Sequence, residues 1–344
     1  MKAGTPIAGR RQRAVNGRGS LAGWGVSVAL LALLALLALA RTDRTVLYEK
    51  ASAYNTVVVT QEDGLRVLRF ERHGARQSVV KLGKPEHLEL PYTRLALVGL
   101  ALSEESRRFL VVGLGGGSLP MFLRKHYPEA TIESAEIDPE VVDVAKKFFG
   151  FREDLRMIAH VADGRRFIET SRQPYDVIFL DAFGSDSIPV HLTTEEFLRA
   201  VRRAVKPGGV VVSNLWDRRL NPLYDSMVRT YQEVFEEVLV LSVRSRANMI
   251  LLALPREQPL RREELVELAG KVSAARRFPF DLGEPARYGF QKVPAKSRHV
   301  RVLRDRDLAQ AEPRDRALHP TAAFRLRRGA SPSLQERSAL SAPG

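Results

Sequence analysis

The sequence has 344 residues, 44% hydrophobic content and no cysteine. That is enough apolar material for one large domain or two modest ones, and it excludes disulfides, a thiolate nucleophile and a cysteine-bound zinc site. The formal charge of +14 sits at the ends, with eight basic against two acidic residues over 1–50, nineteen against eleven over 256–344, and a balance between them; a neutral middle offers no basic face, so no nucleic-acid partner is expected.

In chain order, a basic segment over 1–20 precedes LAGWGVSVALLALLALLALA at 21–40, twenty uncharged residues that match the apolar thickness of a bilayer. A single membrane helix is expected there, with a cleaved signal as the competing reading because the run ends Ala38-Leu39-Ala40. Lys2, Arg10, Arg11, Arg13 and Arg18 before it, against Arg41, Arg44 and Lys50 after it, do not settle which side the rest of the chain occupies.

Residues 51–85 read as a small β domain. Thr56–Thr60 is β-branched, Glu62-Asp63-Gly64 is a turn signal, and Leu65–Phe70 alternates apolar with basic residues. Over 86–300 the pattern becomes apolar strand, loop and helix, with strands expected at Phe109–Val112, Thr131–Ile137, Arg156–Val161, Asp176–Leu180 and Gly209–Asn214. Helices between strands imply parallel pairing. Glu237–Val243 and Ala247–Ala253 add an antiparallel hairpin, 261–277 reads as a helix, and 305–344 reads as a disordered basic tail. The expected fold is therefore α/β: a Rossmann-like sheet of seven mostly parallel strands of the class I methyltransferase type, behind a small N-terminal β-sheet.

The segment VVGLGGGSLP places Gly113, Gly115, Gly116 and Gly117 between a buried strand and a helix, where a backbone without side chains can approach a ligand and helix N–H groups point at it. Ser118 stands where a dinucleotide fingerprint carries its third glycine, which disfavours a nicotinamide-dependent oxidoreductase. Acids then fall just after successive strands, where an open α/β sheet has its ligand crevice. Glu136 and Asp138 follow the second strand and suit ribose hydroxyls; Asp163, beside Gly164, follows the third and suits an adenine amino group; Asp181 follows the fourth, where a reacting group would lie.

Residues 52–255 resemble the spermidine synthase family and its single-domain or membrane-fused bacterial relatives, through GLGGGSLP, AEIDPEVVDVA, VADGRRFI and YDVIFLDAFGSDSIPVHLTTEEFL. GLGGGSLP and EIDP also resemble a eukaryotic group of lysine methyltransferases. The resemblance implies S-adenosylmethionine or its decarboxylated form as cofactor, no metal, a polyamine or protein amine as acceptor, and a possible homodimer. It assigns Glu136 to ribose, Asp163 to adenine, Asp181 to the catalytic loop as base or orienter of the amine, Tyr92 to the active site, and Tyr54 and Gln77 to the donor side.

Two positions depart from the family. Gly116 stands where the acid that holds the aminopropyl ammonium belongs, and Gly184 stands where a second catalytic acid belongs, with Asp186 two residues on. Loss of the first acid removes a repulsion against the carboxylate of intact S-adenosylmethionine. His191 matches the membrane-fused relatives as a second candidate base, but is read first as the chain entering a helix capped by Thr193 and Glu196; Trp216 and Tyr224 are read as core aromatics ahead of walls for an acceptor pocket. The function expected is transfer of an aminopropyl or methyl group to an amine; the alternative is a non-catalytic cofactor-binding or membrane scaffold module of the same fold.

Overall fold

The computed structural model describes residues 44–310, apart from 185, 186, 245, 246 and 294. The basic segment 1–20, the apolar run 21–40, Asp186 and the chain beyond 310 lie outside the described residues. Among those described, no helix is long and apolar enough to cross a membrane.

Strands β1 (Thr45–Ala51), β2 (Thr56–Glu62), β3 (Leu65–Arg69) and β4 (Ser78–Lys81) form the small sheet, antiparallel and in that order. Asp63 and Gly64 join β2 to β3 with φ of 48° and 76°, a two-residue turn whose twist matches that of the strands it connects. β1 was not expected from sequence. It is exposed along nearly its whole length and so carries no apolar alternation; its anchor is Tyr48, whose ring lies 5.4 Å from Phe148 and whose hydroxyl donates to Glu140. Val57, Val59, Leu68 and Val80 of this sheet pack on Val141, Val144 and Phe149.

The short helix α1 (Pro91–Ala96) begins with proline, whose missing N–H has no partner to lose at a helix start. The main sheet then alternates with helices: β5 (Arg108–Val112), α2 (Ser118–His126), β6 (Thr131–Glu136), α3 (Pro139–Phe148), β7 (Met157–Val161), α4 (Gly164–Thr170), β8 (Tyr175–Leu180), α5 (Glu195–Ala204), β9 (Val205–Trp216), α6 (Tyr224–Val234), β10 (Glu237–Ser242) and β11 (Asn248–Leu254). Helices α7 (Arg262–Ala275) and α8 (Gly283–Gly289) follow, then β12 (Phe290–Gln291). The strand order is β12-β10-β11-β9-β8-β5-β6-β7. β7, β6, β5, β8 and β9 run parallel, and β11, β10 and β12 are antiparallel additions. Eight strands stand where seven were expected, because β12 is two residues long and two residues have no readable period.

Both faces of the sheet are covered. Phe109 and Val111 enter one apolar cluster and Leu110 and Val112 the other, so β5 reads as an unbroken apolar run. From β5 the chain steps to β6 and β7 on one side and returns through β8 on the other. Strand order therefore reverses at the paired carboxyl ends of β5 and β8, the place where such sheets open a crevice.

Two local expectations change. Thr194, not Thr193, caps α5: its hydroxyl accepts from the Phe197 amide at 3.3 Å, while Thr193 donates to the Val190 carbonyl. Residues 305–310, the described part of the expected tail over 305–344, are held against the domain. Leu303 is buried, its amide donates to Thr230 at 3.0 Å, and Asp305 meets Arg165 at 2.6 Å and Thr194 at 2.7 Å, ahead of a 3₁₀ turn over Asp305–Gln310.

Candidate functional site

A cavity of about 380 Å³, within the usual size range of small-ligand pockets, opens at the carboxyl ends of β5, β6, β8 and β9 and is closed on one side by residues leading into β4. Gly113 is the pivot. The Asp181 amide donates to the Val112 carbonyl at 2.9 Å, and Gly113 has φ +94°; a Cβ there would lie 2.4 Å from the Asp181 carbonyl oxygen. Only glycine lets the two strand ends close on each other.

Gly113, Gly115 and Ser118 line the cavity, whereas Gly116 and Gly117, expected beside the ligand, do not. They are packed from behind. A Cβ on Gly116 would lie 2.6 Å from the Phe149 ring and 2.9 Å from the Ser78 hydroxyl, and one on Gly117 would lie 2.6 Å from the Phe151 ring.

The acids divide in the same way. Glu136 lines the cavity and is 8% exposed; its Oε2 accepts from the Leu114 amide at 2.9 Å and its Oε1 from the Asp138 amide at 3.1 Å. Burial raises its pKa, partly offset by those amides. It thus holds the glycine loop in shape and keeps acceptor capacity toward the cavity. Asp138, expected at the ribose as well, is 1% exposed and absent from the cavity wall. Its carboxylate caps α3 by accepting from the Glu140 amide at 2.9 Å and also accepts from the Ser52 hydroxyl. Asp138→Ala should therefore cost about 1–2 kcal/mol of stability and leave cofactor affinity within twofold, checked by thermal melts beside calorimetry. A large affinity loss in a well-folded variant would return Asp138 to the site.

Asp163 and Gly164 line the cavity, with Asp163 as N-cap of α4: Oδ1 accepts from the Arg166 amide at 2.9 Å and Oδ2 lies 2.9 Å from His191 Nε2. Burial pushes the Asp163 pKa up, but His191 and the Arg166 amide together outweigh it and hold the carboxyl below its ordinary range. His191, read from sequence as a helix entrance, is thus part of the cavity wall. Gln77 lines the wall too, while Tyr54 stands beside it with its pKa raised by burial and by Asp138, Asp163 and Glu136.

At the other end, Asp181 Oδ2 accepts from the Tyr92 hydroxyl at 3.1 Å and Oδ1 from Asn214 Nδ2 at 2.9 Å. Burial pushes the Asp181 carboxyl up to about 6, against the pull of Asn214 and Tyr92. Tyr92 is raised well above its ordinary value by burial and by Asp181, so it stays a donor. Near neutral pH the centre holds an ionised carboxylate with a proton affinity suited to general-base work. Among the described residues, no group of three or more His, Asp or Glu side chains could hold a metal ion.

The cavity thus joins a volume of small-ligand size, a glycine turn with no room for side chains and a buried acid, Glu136, at the end of β6. The spermine/spermidine synthase domain model matches residues 90–244. A polyamine aminopropyltransferase of Vibrio vulnificus is 34% identical over 230 residues, covering 64% of this chain and 76% of the relative. The chain belongs to the spermidine synthase family. It is a transferase.

The human eEF1A lysine and N-terminal methyltransferase is 37% identical over 183 residues, covering 49% of this chain and 26% of the relative, so the chain spans about a quarter of that protein. The solved structure of human methyltransferase-like protein 13 in complex with SAH superposes with a TM-score of 0.51 at 34% identity, covering 56% of this chain and 94% of that one. A spermidine synthase bound to the transition-state analogue AdoDATO gives 0.58 at 20% identity, covering 73% and 86%, which speaks for the fold.

Sequence reasoning missed Asn214 and Asn248. Both line the cavity, and Asn248 Nδ2 donates to Asn214 Oδ1 at 3.0 Å, which turns the Asn214 amide nitrogen toward Asp181. The available signal was the polar Ser213-Asn214 pair that follows the apolar run of β9. Trp216 also lines the cavity, its ring 5.5 Å from that of Phe183, whereas Tyr224 is a buried core residue.

Proposed function

We propose that this chain transfers a methyl group from S-adenosylmethionine to an amine, with Asp181 orienting the amine and taking its proton. One observation carries the choice of methyl over aminopropyl. The position that holds an acid for the aminopropyl ammonium in the family is Gly116, and Phe149 and Ser78 occupy the space that any side chain there would need. Without that acid the donor's arm meets no repulsion against a carboxylate.

Glu136 suits the ribose hydroxyls and Asp163 the adenine amino group, each with acceptor capacity toward the cavity. In the transfer, the amine nitrogen bonds to the methyl carbon as the carbon–sulfur bond breaks; sulfur keeps the electron pair and leaves as a neutral thioether. One amine proton passes to Asp181, which Tyr92 and Asn214 hold in place. Such a displacement depends on position and on a base, with no acid needed for the leaving group. Phe183 and Trp216 give the acceptor end an aromatic wall.

Calorimetry of the purified chain with S-adenosylmethionine and with its decarboxylated form tests this. Tighter binding of the intact cofactor is expected. Binding of neither overturns the reading, and preference for the decarboxylated form reassigns the reaction to aminopropyl transfer.

The uncharged run 21–40 supports a membrane anchor ahead of the domain. A reporter fused to the C-terminus should then be recovered with the membrane fraction and reveals which side the domain occupies; a fully soluble fusion of unchanged length removes the anchor.

A further inference from the structure

We propose that Arg76 reads the carboxylate of the donor's amino-acid arm and thereby selects intact S-adenosylmethionine over its decarboxylated form; this deepens, and rests on, the methyl-transfer reading. The charges on the cavity wall are sorted by position. Glu136 and Asp163 stand on the adenosyl side and Asp181 at the acceptor. Among the described lining residues the basic side chains are Arg76 and His191, and His191 lies against Asp163. Arg76 is left for the remaining end.

That end is identified by packing. Arg76, Gln77 and Ser78 line the cavity as one stretch, and Ser78 presses on the glycine turn: its Cβ lies 3.2 Å from where a Gly115 Cβ would be, and its hydroxyl 2.9 Å from where a Gly116 Cβ would be. Gly116 is the position at which the family holds the far end of the donor's arm. Arg76, two residues before Ser78, therefore borders the place where a carboxylate replaces an ammonium-only arm.

Arg76 is also a surplus cation. Glu62 pairs with Arg69 at 2.8 Å, both side chains being buried, and accepts from Thr60 as well. Arg76 reaches the same Glu62 through Nη2 at 2.9 Å with 46% of its side chain exposed. The trio Glu62, Arg69 and Arg76 thus keeps a net positive charge at the cavity's edge. The Glu62 contact fixes the guanidinium by one nitrogen, and a guanidinium has donors to spare for a bidentate carboxylate. A structural ion pair alone would explain the Glu62 contact but not a surplus arginine on the wall of a cavity whose other charges are acids.

The test uses two ligands that share the adenosine and a neutral thioether and differ by the amino-acid arm: S-adenosylhomocysteine and 5′-methylthioadenosine. Calorimetry of the full chain and of Arg76→Gln and Arg76→Lys, with melting curves to establish folding, gives the affinities. Arg76→Gln should weaken S-adenosylhomocysteine about tenfold, the low end for a hydrogen-bonded charge at a partly exposed site, and leave 5′-methylthioadenosine within twofold. Arg76→Lys should fall between. Unchanged S-adenosylhomocysteine affinity in Arg76→Gln overturns the assignment, as does an equal loss for both ligands, which marks a structural role. Wild-type preference for decarboxylated over intact S-adenosylmethionine overturns the methyl-transfer reading itself and this proposal with it; intact preference combined with an indifferent Arg76 overturns this proposal alone.

Discussion

Asp181→Asn is expected to lower turnover about 10²- to 10⁴-fold, the range for removing a general base, while cofactor affinity stays within twofold. The amide keeps the local hydrogen bonds: its oxygen accepts from Asn214 Nδ2, and its nitrogen donates to the Tyr92 oxygen, so the geometry survives and only the base is lost. In the wild type, the carboxyl is pushed up to about 6 from an ordinary 3.8 by burial. Activity should therefore fall tenfold per pH unit below about 6. The same shift has a stability consequence whose sign is fixed. A carboxyl with its folded pKa raised binds its proton more tightly when folded, so the cost of keeping it ionised is absent below pH 4. That cost grows as pH rises through about 6 and is constant above. Asp181→Asn should then be more stable than the wild type at pH 8, by at most about 3 kcal/mol, and no more stable at pH 4. Melting curves at the two pH values, beside single-turnover rates, check both halves. Turnover that survives the substitution would remove Asp181 as base. A stability gain equal at both pH values would mean the carboxylate is ionised there without cost.

The parts of this site that could be read in the sequence are those where local pattern and three-dimensional role coincide. Gly113 ends an unbroken apolar run and opens a helix, so the run itself announces a buried strand and a turn at its end, and Asp181 follows the same kind of run in β8. Glu136 and Asp138 show where such reading stops. Both follow β6, and only the fold decides that Glu136 faces the cavity while Asp138 turns to the α3 amides and Ser52. Asn214 and Asn248 are thirty-four residues apart and meet because β9 and β11 pair antiparallel, with Asn248 opposite Trp216. No periodicity within either segment carries that register. β1 was unreadable for the opposite reason: an exposed edge strand buries almost nothing, so it leaves no apolar signature. Gly116 lies between these cases, since the missing acid is visible in the sequence but the aromatic ring that keeps it missing is not.

That ring makes a second large effect predictable. Restoring the family's acid by Gly116→Asp alone should neither create aminopropyl transfer nor leave a stable protein. The new Cβ would sit 2.6 Å from the Phe149 ring, and that ring is 2% exposed and wedged against Val57, Val59 and Leu68 of the small sheet. Overpacking of this kind costs about 1–3 kcal/mol, and a carboxylate pressed against an aromatic ring adds a desolvation penalty. Phe149→Ala alone should cost about 3–5 kcal/mol through the cavity it leaves. Because each change supplies what the other lacks, the double variant should lose less stability than the two separate losses added together, with a coupling of about 0.5–3 kcal/mol. If the pair folds, the carboxylate sits beside Ser78, which lines the cavity, and affinity should move toward decarboxylated S-adenosylmethionine. A double-mutant cycle by chemical denaturation gives the coupling, and calorimetry on the same proteins gives the preference. Gly116→Asp that melts with the wild type and already prefers the decarboxylated ligand would show that Phe149 yields easily. In that event, the lost acid reflects no steric commitment to methyl transfer, and the choice of transferred group has to rest on Arg76 and the acceptor end.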